Sequence, residues 1–292
     1  MMAAEFIGPE DVRWAEFLEA VPHDVYHLPP FVELDAAAAA GRAVAFLGEV
    51  DGARCLIPLI EQPIPRSLGD WSGHTDLASP YGYPHPLIEG DAKELGACLR
   101  LFARACRERG SVSAFLRNHP VLSPAGTEGL VWKDDATESR INSRGDTLVV
   151  DLRGTRADIR SGLRSEYRRR LNRLLRMGYH AVVDDWSRYD RFVEVYAATM
   201  DRVGAARSYF YDRAYFEETA SRLKGNVHLV SVLSPNGSTV VAAGLFFREG
   251  NLIQYHLGGW DPAYAPLSPS KLVLWSAIEW GHETGATWLH LG

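Results

Sequence analysis

Two stretches of this chain carry the same order of structural signals. In the first, the apolar runs 43–50 and 54–60 are divided by Asp51-Gly52, and an Asp-Gly between such runs predicts a tight hairpin, because both residues tolerate the positive φ of a two-residue turn. Downstream, residues 92–109 place Leu95, Leu99, Phe102 and Cys106 on one helical face and stop at Gly110, before a run at 112–117 that reads as a buried strand. In the second stretch, residues 227–233, the turn Pro235-Asn236-Gly237, residues 239–247, the turn Gly250-Asn251 and residues 252–257 read as a three-stranded meander. A helix at 270–284 then closes on Gly285 before a strand at 287–291, and Gly285 lies 175 residues beyond Gly110. Identity between the halves is negligible, so only the architecture repeats. The expectation is an α/β protein of two related domains, each a mixed β-sheet flanked by helices. The polar stretch 134–146 supplies the junction, which gives domains 1–145 and 146–292.

Charge is distributed unevenly along that frame. The whole chain carries a formal −6, which by itself points away from a polyanionic partner. Between Arg153 and Arg176, however, nine arginines face only Asp158 and Glu166, a local +7 on a background of −13. Three cysteines, Cys55, Cys98 and Cys106, make neither a CxxC nor an even set, so no disulfide framework or zinc site is expected. The first residues, Met-Met-Ala-Ala-Glu-Phe, lack a basic and an apolar leader region, and no run approaches 18 apolar residues. A cytoplasmic protein without a membrane span is expected.

Four regions carry candidate chemistry. Residues 156–177 read as one basic helix, opened by Thr155 with Asp158 at capping-box spacing and closed near Gly178. Ile159, Leu163, Tyr167, Leu171 and Leu174 form its apolar stripe, while Arg164, Arg168, Arg169, Arg170 and Arg173 crowd its other faces. Such a cluster either binds phosphates, as RNA or a phosphorylated donor, or is a solvated face partly neutralised by acids such as Asp184 and Asp185. Ser79–Pro86, with three prolines, presents Tyr81 and Tyr83 either to a ligand or to the core. Arg202 ends a helix at 189–203 and leads to Tyr209; it either forms a structural ion pair or meets substrate. Gln254-Tyr255-His256-Leu257-Gly258-Gly259-Trp260 runs a strand into a Gly-Gly bend, and the helix that follows opens with Ser268, Ser270 and Lys271, a ready anion site. His256 is either a satisfied core histidine or a proton carrier. No HExxH, GxSxG or paired-ligand spacing occurs, so neither a metal site nor a serine hydrolase is expected.

Ser79-Pro80-Tyr81-Gly82-Tyr83, Phe115-Leu116-Arg117-Asn118-His119-Pro120, Met200-Asp201-Arg202-Val203-Gly204-Ala205 and Tyr255-His256-Leu257-Gly258 through Ser268-Pro269-Ser270-Lys271-Leu272 together resemble the Fem-type transferases of the GNAT-like acyltransferase superfamily. The resemblance runs from about residue 20 onward and implies two GNAT-like domains. It also implies transfer of an amino acid from aminoacyl-tRNA, a co-substrate rather than a cofactor, to the amine of a peptide-like acceptor, in peptidoglycan precursors or peptide natural products. Arg202 resembles a family arginine near the acceptor phosphates and Tyr255 a tyrosine of the same groove. On this reading Lys271, His256 and Tyr255 are catalytic, Tyr81, Tyr83, Arg202 and Tyr209 bind acceptor, and Arg164, Arg168, Arg169, Arg170 and Arg173 bind tRNA. Two alternatives stand beside it: an N-acyltransferase that takes acetyl-CoA or another acyl-CoA, and a catalytically silent binding protein. The sequence departs from the family twice. The interval between Met177 and Met200 leaves no room for the family's helical arm, and residues 1–292 stop at His290-Leu291-Gly292, before the Phe-x-Phe-Lys segment whose lysine is implicated in catalysis.

Overall fold

A computed structural model describes residues 3–123, 130–134, 136–143 and 145–292. Of the polar junction stretch, Asp135 and Arg144 lie outside the described residues, as do Met1 and Met2 of the N-terminus. Contacts divide the chain into two compact units, Met1–Gly145 and Asp146–Gly292.

The first unit contains β1 (Ala3–Ile7), α1 (Val12–Ala20), α2 (Pro29–Ala38), β2 (Arg42–Val50), β3 (Ala53–Pro63), β4 (Thr75–Ala78), β5 (Leu87–Glu89), α3 (Leu95–Arg109), β6 (Ser111–Phe115) and the short hairpin β7 (Trp132–Lys133) and β8 (Glu138–Ser139). Its sheet runs β1-β2-β3-β4-β6, with β5 also on β3. The Asp51-Gly52 turn forms with φ of 49° and 82°, so Val50 pairs with Ala53 and the register of the longest ladder is fixed there. Helix α3 ends on Gly110 in the left-handed region, and its apolar stripe buries Cys98, Leu99, Phe102 and Cys106 against Phe46 and Ile57. β6 differs from expectation. It is an edge strand whose Val112 and Phe115 are exposed, because β4 pairs it on one side only and no layer covers it among the described residues.

The second unit contains β9 (Val149–Asp151), α4 (Arg156–Gly162), α5 (Ser165–Arg176), β10 (His180–Val183), α6 (Tyr189–Val203), α7 (Arg213–Arg222), β11 (Val227–Leu233), β12 (Val240–Glu249), β13 (Leu252–Trp260), α8 (Ser270–Glu283) and β14 (Trp288–His290). Its sheet order is β10-β11-β12-β13-β14-β9, antiparallel except for the parallel pair β13 and β14. Leu171, Leu174, Val230, Phe246, Ile253, Val273 and Trp275 fill the core between the sheet and α5 and α8. No helix among the described residues is long and apolar enough to cross a membrane.

The basic segment is two helices. The Thr155–Asp158 capping box forms and opens α4, but Leu163 and Arg164 are extended, with ψ of 141° and 143°. Ser161-Gly162 ends α4 where helix propensity is weakest, and the break lets Ile159, Leu163 and Tyr167 all reach the same core. The Gly258-Gly259 pair is also not a bend. Both residues lie within β13, opposite Gly244 and Ala243 of β12.

Candidate functional site

The second unit holds ten of the singled-out residues, of which Tyr255, His256 and Arg202 meet at the C-terminal half of β13. β12 accompanies this strand to Trp260, but β14 pairs only with Leu252, Ile253 and Gln254. Beyond Gln254, β13 and β14 therefore separate. At the same point the register on β12 passes from Leu245↔Leu257 to Phe246↔Tyr255, so His256 is an extra residue in the ladder. Such a bulge re-aims side chains.

Tyr255 and His256 point to opposite sides of the sheet, as successive strand residues do. Tyr255 packs with the α5–α8 core, its ring centroid 5.2 Å from that of Phe246. A Cβ built on Gly258 would stand 2.2 Å from the Tyr255 hydroxyl, so glycine there makes room for the phenol to lie along the strand. Burial pushes the phenol up to about 12. It remains a protonated donor at neutral pH. His256 faces the other layer, where the Phe247 ring centroid is 4.2 Å away and the Tyr215 hydroxyl lies 3.3 Å from Nε2. Burial lowers its imidazole to about 3. That is the environment of a neutral core histidine, which does not exchange protons readily with bulk water.

Lys271 occupies the first turn of α8, and α5 braces that turn from the side. The Tyr167 hydroxyl donates to the Lys271 carbonyl at 2.7 Å, and the Lys271 ammonium sits 4.6 Å from the centre of the Tyr167 ring. Arg170 donates to Ser268 Oγ at 2.8 Å and is also paired with Glu166. Ser268 has φ of 55° and no glycine's freedom, so this contact holds a residue whose conformation is costly. The result is a helix N-terminus with a cation beside it, an arrangement that stabilises negative charge.

Of the other arginines on these helices, Arg168 donates to the Ser161 carbonyl, Arg160 to Asn172, and Arg156 pairs with Glu279. Asp184 and Asp185, expected as neutralising acids, are engaged elsewhere: Asp184 holds His228 and the Leu229 amide, and Asp185 holds Arg188. Arg164, Arg169 and Arg173 are exposed and have no ion pair or side-chain hydrogen bond among the described residues. Arg168, Arg169 and Arg176 line an open groove of 510 Å³ on the outer face of α5, together with Ser165, Asn172 and Leu175.

Arg202, at the end of α6, has no ion pair among the described residues; its guanidinium lies 4.0 Å from the centre of the Trp260 ring. Of the two readings of Arg202, the structural ion pair does not form among the described residues, and the guanidinium stacks instead. Tyr209 is exposed in a 3-10 turn, and its carbonyl accepts from the Tyr196 hydroxyl at 2.6 Å.

Tyr81 and Tyr83 belong to the first unit and are half-buried in a packed turn. The Tyr81 amide donates to Asp35 Oδ2 at 2.6 Å, and Arg117 stands over the Tyr81 ring. Tyr83 meets Tyr26 and His119 edge-on. Beneath them His119 Nε2 lies 3.0 Å from Asp24 Oδ2, and buried His27 and His85 are lowered to about 3 by loss of water. No group of His, Cys, Asp and Glu among the described residues could hold a metal ion.

Three contacts were not anticipated from the sequence: the Tyr167 hydroxyl on the Lys271 carbonyl, Arg170 on Ser268 and Arg202 on Trp260. Tyr167 alone was open to detection, as the one hydroxyl in an otherwise aliphatic stripe.

Residues 161–292 match the acetyltransferase (GNAT) domain family. Among solved structures, FemX aligns with 99% of this chain and 88% of its own at 13% identity, with a TM-score of 0.70. L-PGS from Bacillus licheniformis aligns with 98% of this chain and 79% of its own at 17% identity, with a TM-score of 0.57. No curated protein sequence matches. In fold the chain is similar to FemX over nearly its whole length, and residues 161–292 match the acetyltransferase (GNAT) domain family.

Proposed function

We propose that this acyltransferase moves an aminoacyl group from aminoacyl-tRNA to the amine of a peptide-like acceptor, in the cytoplasm and without a metal or resident cofactor. The observation that carries the donor assignment is the set of exposed cations Arg164, just before α5, and Arg169 and Arg173 on it, which have no ion pair among the described residues; Tyr167 and Arg170 of the same helix brace the start of α8. Arg169 and Arg173 are four apart on one helix, a like-charge pair that costs stability until an anion sits over it. A phosphate backbone supplies anions at repeated spacing.

The ester of an aminoacyl-tRNA is already activated, so the protein has chiefly to align the reactants and handle charge. The acceptor amine attacks the ester carbonyl, the new C–N bond forms, the ester C–O bond breaks, and the ribose oxygen leaves with a proton. Tyr255, a protonated phenol at neutral pH, would donate to the oxyanion or the leaving oxygen. Lys271 and the α8 amides favour the negative charge. His256 supports β13 from the opposite face through Tyr215, a positioning role. Arg202 and Tyr209 would meet acceptor.

The acetyltransferase description of the matching domain family favours a second reading, an acyl-CoA donor whose phosphates would occupy the α8 N-terminus. Purified protein supplied with either charged tRNA or acetyl-CoA, and a panel of amines, separates the two by amide product. Amide formed only with acetyl-CoA overturns the tRNA reading. No amide with either donor favours a binding protein.

A further inference from the structure

We propose that Trp260 is a positioning residue: its indole holds the Arg202 guanidinium so that the in-plane N–H groups receive an oxyanion, a phosphate or a carboxylate, of the acceptor. Helix α6 and strand β13 are locked where this pair forms. Thr199 Oγ1 accepts from the Trp260 amide at 3.2 Å and itself donates to the Val195 carbonyl at 2.8 Å. One residue earlier, a Cβ on Gly259 would stand 2.4 Å from that same Val195 carbonyl, so helix backbone rests directly on strand backbone. Arg202 lies three residues beyond Thr199, on the last turn of α6, and is carried to the end of β13. There its guanidinium is 4.0 Å from the centre of the Trp260 ring. Trp260 in turn packs against the core shared with α8, which limits its freedom.

Stacking uses the π-face of the guanidinium and leaves its five in-plane donors. Among the described residues no acid or carbonyl takes them, although Asp201 is the next residue and Asp261 follows Trp260; Asp261 is paired instead with Arg191. A desolvated face and an open rim make a fork for a planar or tetrahedral oxyanion. The assignment of that anion to the acceptor rests on the transferase reading; the stacking and the fork do not.

Direct binding tests this without turnover. In the full chain the Arg202 Nε–H resonance, assigned by its loss in Arg202→Lys, is titrated with inorganic phosphate and, separately, with acetate. A saturable shift is expected with at least one anion, and which one names the oxyanion. Trp260→Leu should weaken that binding about fivefold, the size of an exposed cation–π contact. Trp260→Phe, which keeps an aromatic face, should restore it to within about twofold. In an Arg202→Gln background, Trp260→Leu should change residual binding by less than about 1.5-fold, as expected when two residues act as one unit. The absence of a shift with both anions overturns the proposal. So does a Trp260→Leu protein, folded by circular dichroism, that binds as the unmodified chain does, or a Trp260→Phe protein as weak as Trp260→Leu. Failure of the transfer assay overturns the transferase reading and leaves the anion-binding result standing, whereas absence of anion binding overturns the role of Trp260 and leaves the transferase reading standing.

Discussion

Acidification offers a direct measure of how dry the interior of the second unit is. His256 is buried and its imidazole is lowered from 6.5 to about 3 by desolvation. Above pH 6.5 both folded and unfolded chains hold it neutral, and it costs nothing. Below 6.5 the unfolded chain takes up a proton that the folded chain refuses, so stability falls with pH by about 1.4 kcal/mol per unit. Between pH 7 and pH 5 the loss from this residue is about 2 kcal/mol, a figure that requires only that the folded value lie below 5. The comparison is urea unfolding of the chain and of His256→Gln at both pH values, followed by far-ultraviolet circular dichroism. His27 and His85 in the first unit are lowered in the same way, but they are present in both proteins and cancel. The chain should lose about 2 kcal/mol more than the variant, a relative midpoint displacement of about 1 M urea for an ordinary m-value. Equal losses would show that water reaches the imidazole in the folded state, and the assignment of His256 to a dry supporting layer would be wrong.

Other outcomes follow from single contacts. Tyr255→Phe should leave the melting temperature nearly unchanged and lower kcat at least tenfold, as loss of a general acid does, with an unchanged kcat removing Tyr255 from the chemistry. Gly259→Ala should destabilise by about 1–3 kcal/mol in thermal unfolding, because the new methyl meets the Val195 carbonyl at 2.4 Å and helix backbone cannot yield as a side chain can. Replacing Arg164, Arg169 and Arg173 together by Ala should flatten the slope of log K against log salt for tRNA binding by about 2 to 3, and an unchanged slope would make α5 a merely solvated face. Tyr167→Phe removes the hydrogen bond to the Lys271 carbonyl and should cost about 1 kcal/mol in urea unfolding, with weaker anion binding at the α8 N-terminus.

Local signals in the sequence translated well wherever the deciding interaction is between near neighbours. Asp51-Gly52 makes its turn because two residues alone must reach positive φ. Thr155 and Asp158 cap each other across three residues, and Gly110 and Gly204 end their helices in the left-handed region. The repeated order of these units was enough to anticipate two mixed sheets with flanking helices. The break at Leu163 was not legible in that way. Stripe and capping signals fit one continuous helix, and only the shape of the core, which draws Ile159, Leu163 and Tyr167 inward together, selects two.

The candidate site shows the same division. Residue types and order alone placed Tyr255, His256, Arg202, Lys271 and the arginine cluster in the second half, because phosphate, proton and oxyanion chemistry each demands particular side chains. Tertiary structure decided what each can do. The sheet pleat sends Tyr255 and His256 to opposite faces, one beside the parting of β13 from β14 and the other into a dry layer. Glycines that read as a bend are instead the points where a phenol and a helix backbone approach β13. Which arginines remain unpaired depended on acids over a hundred residues away, such as Glu279 for Arg156. A sequence specifies donors, acceptors and charges; their partners are set by distances that exist only once the chain has closed on itself.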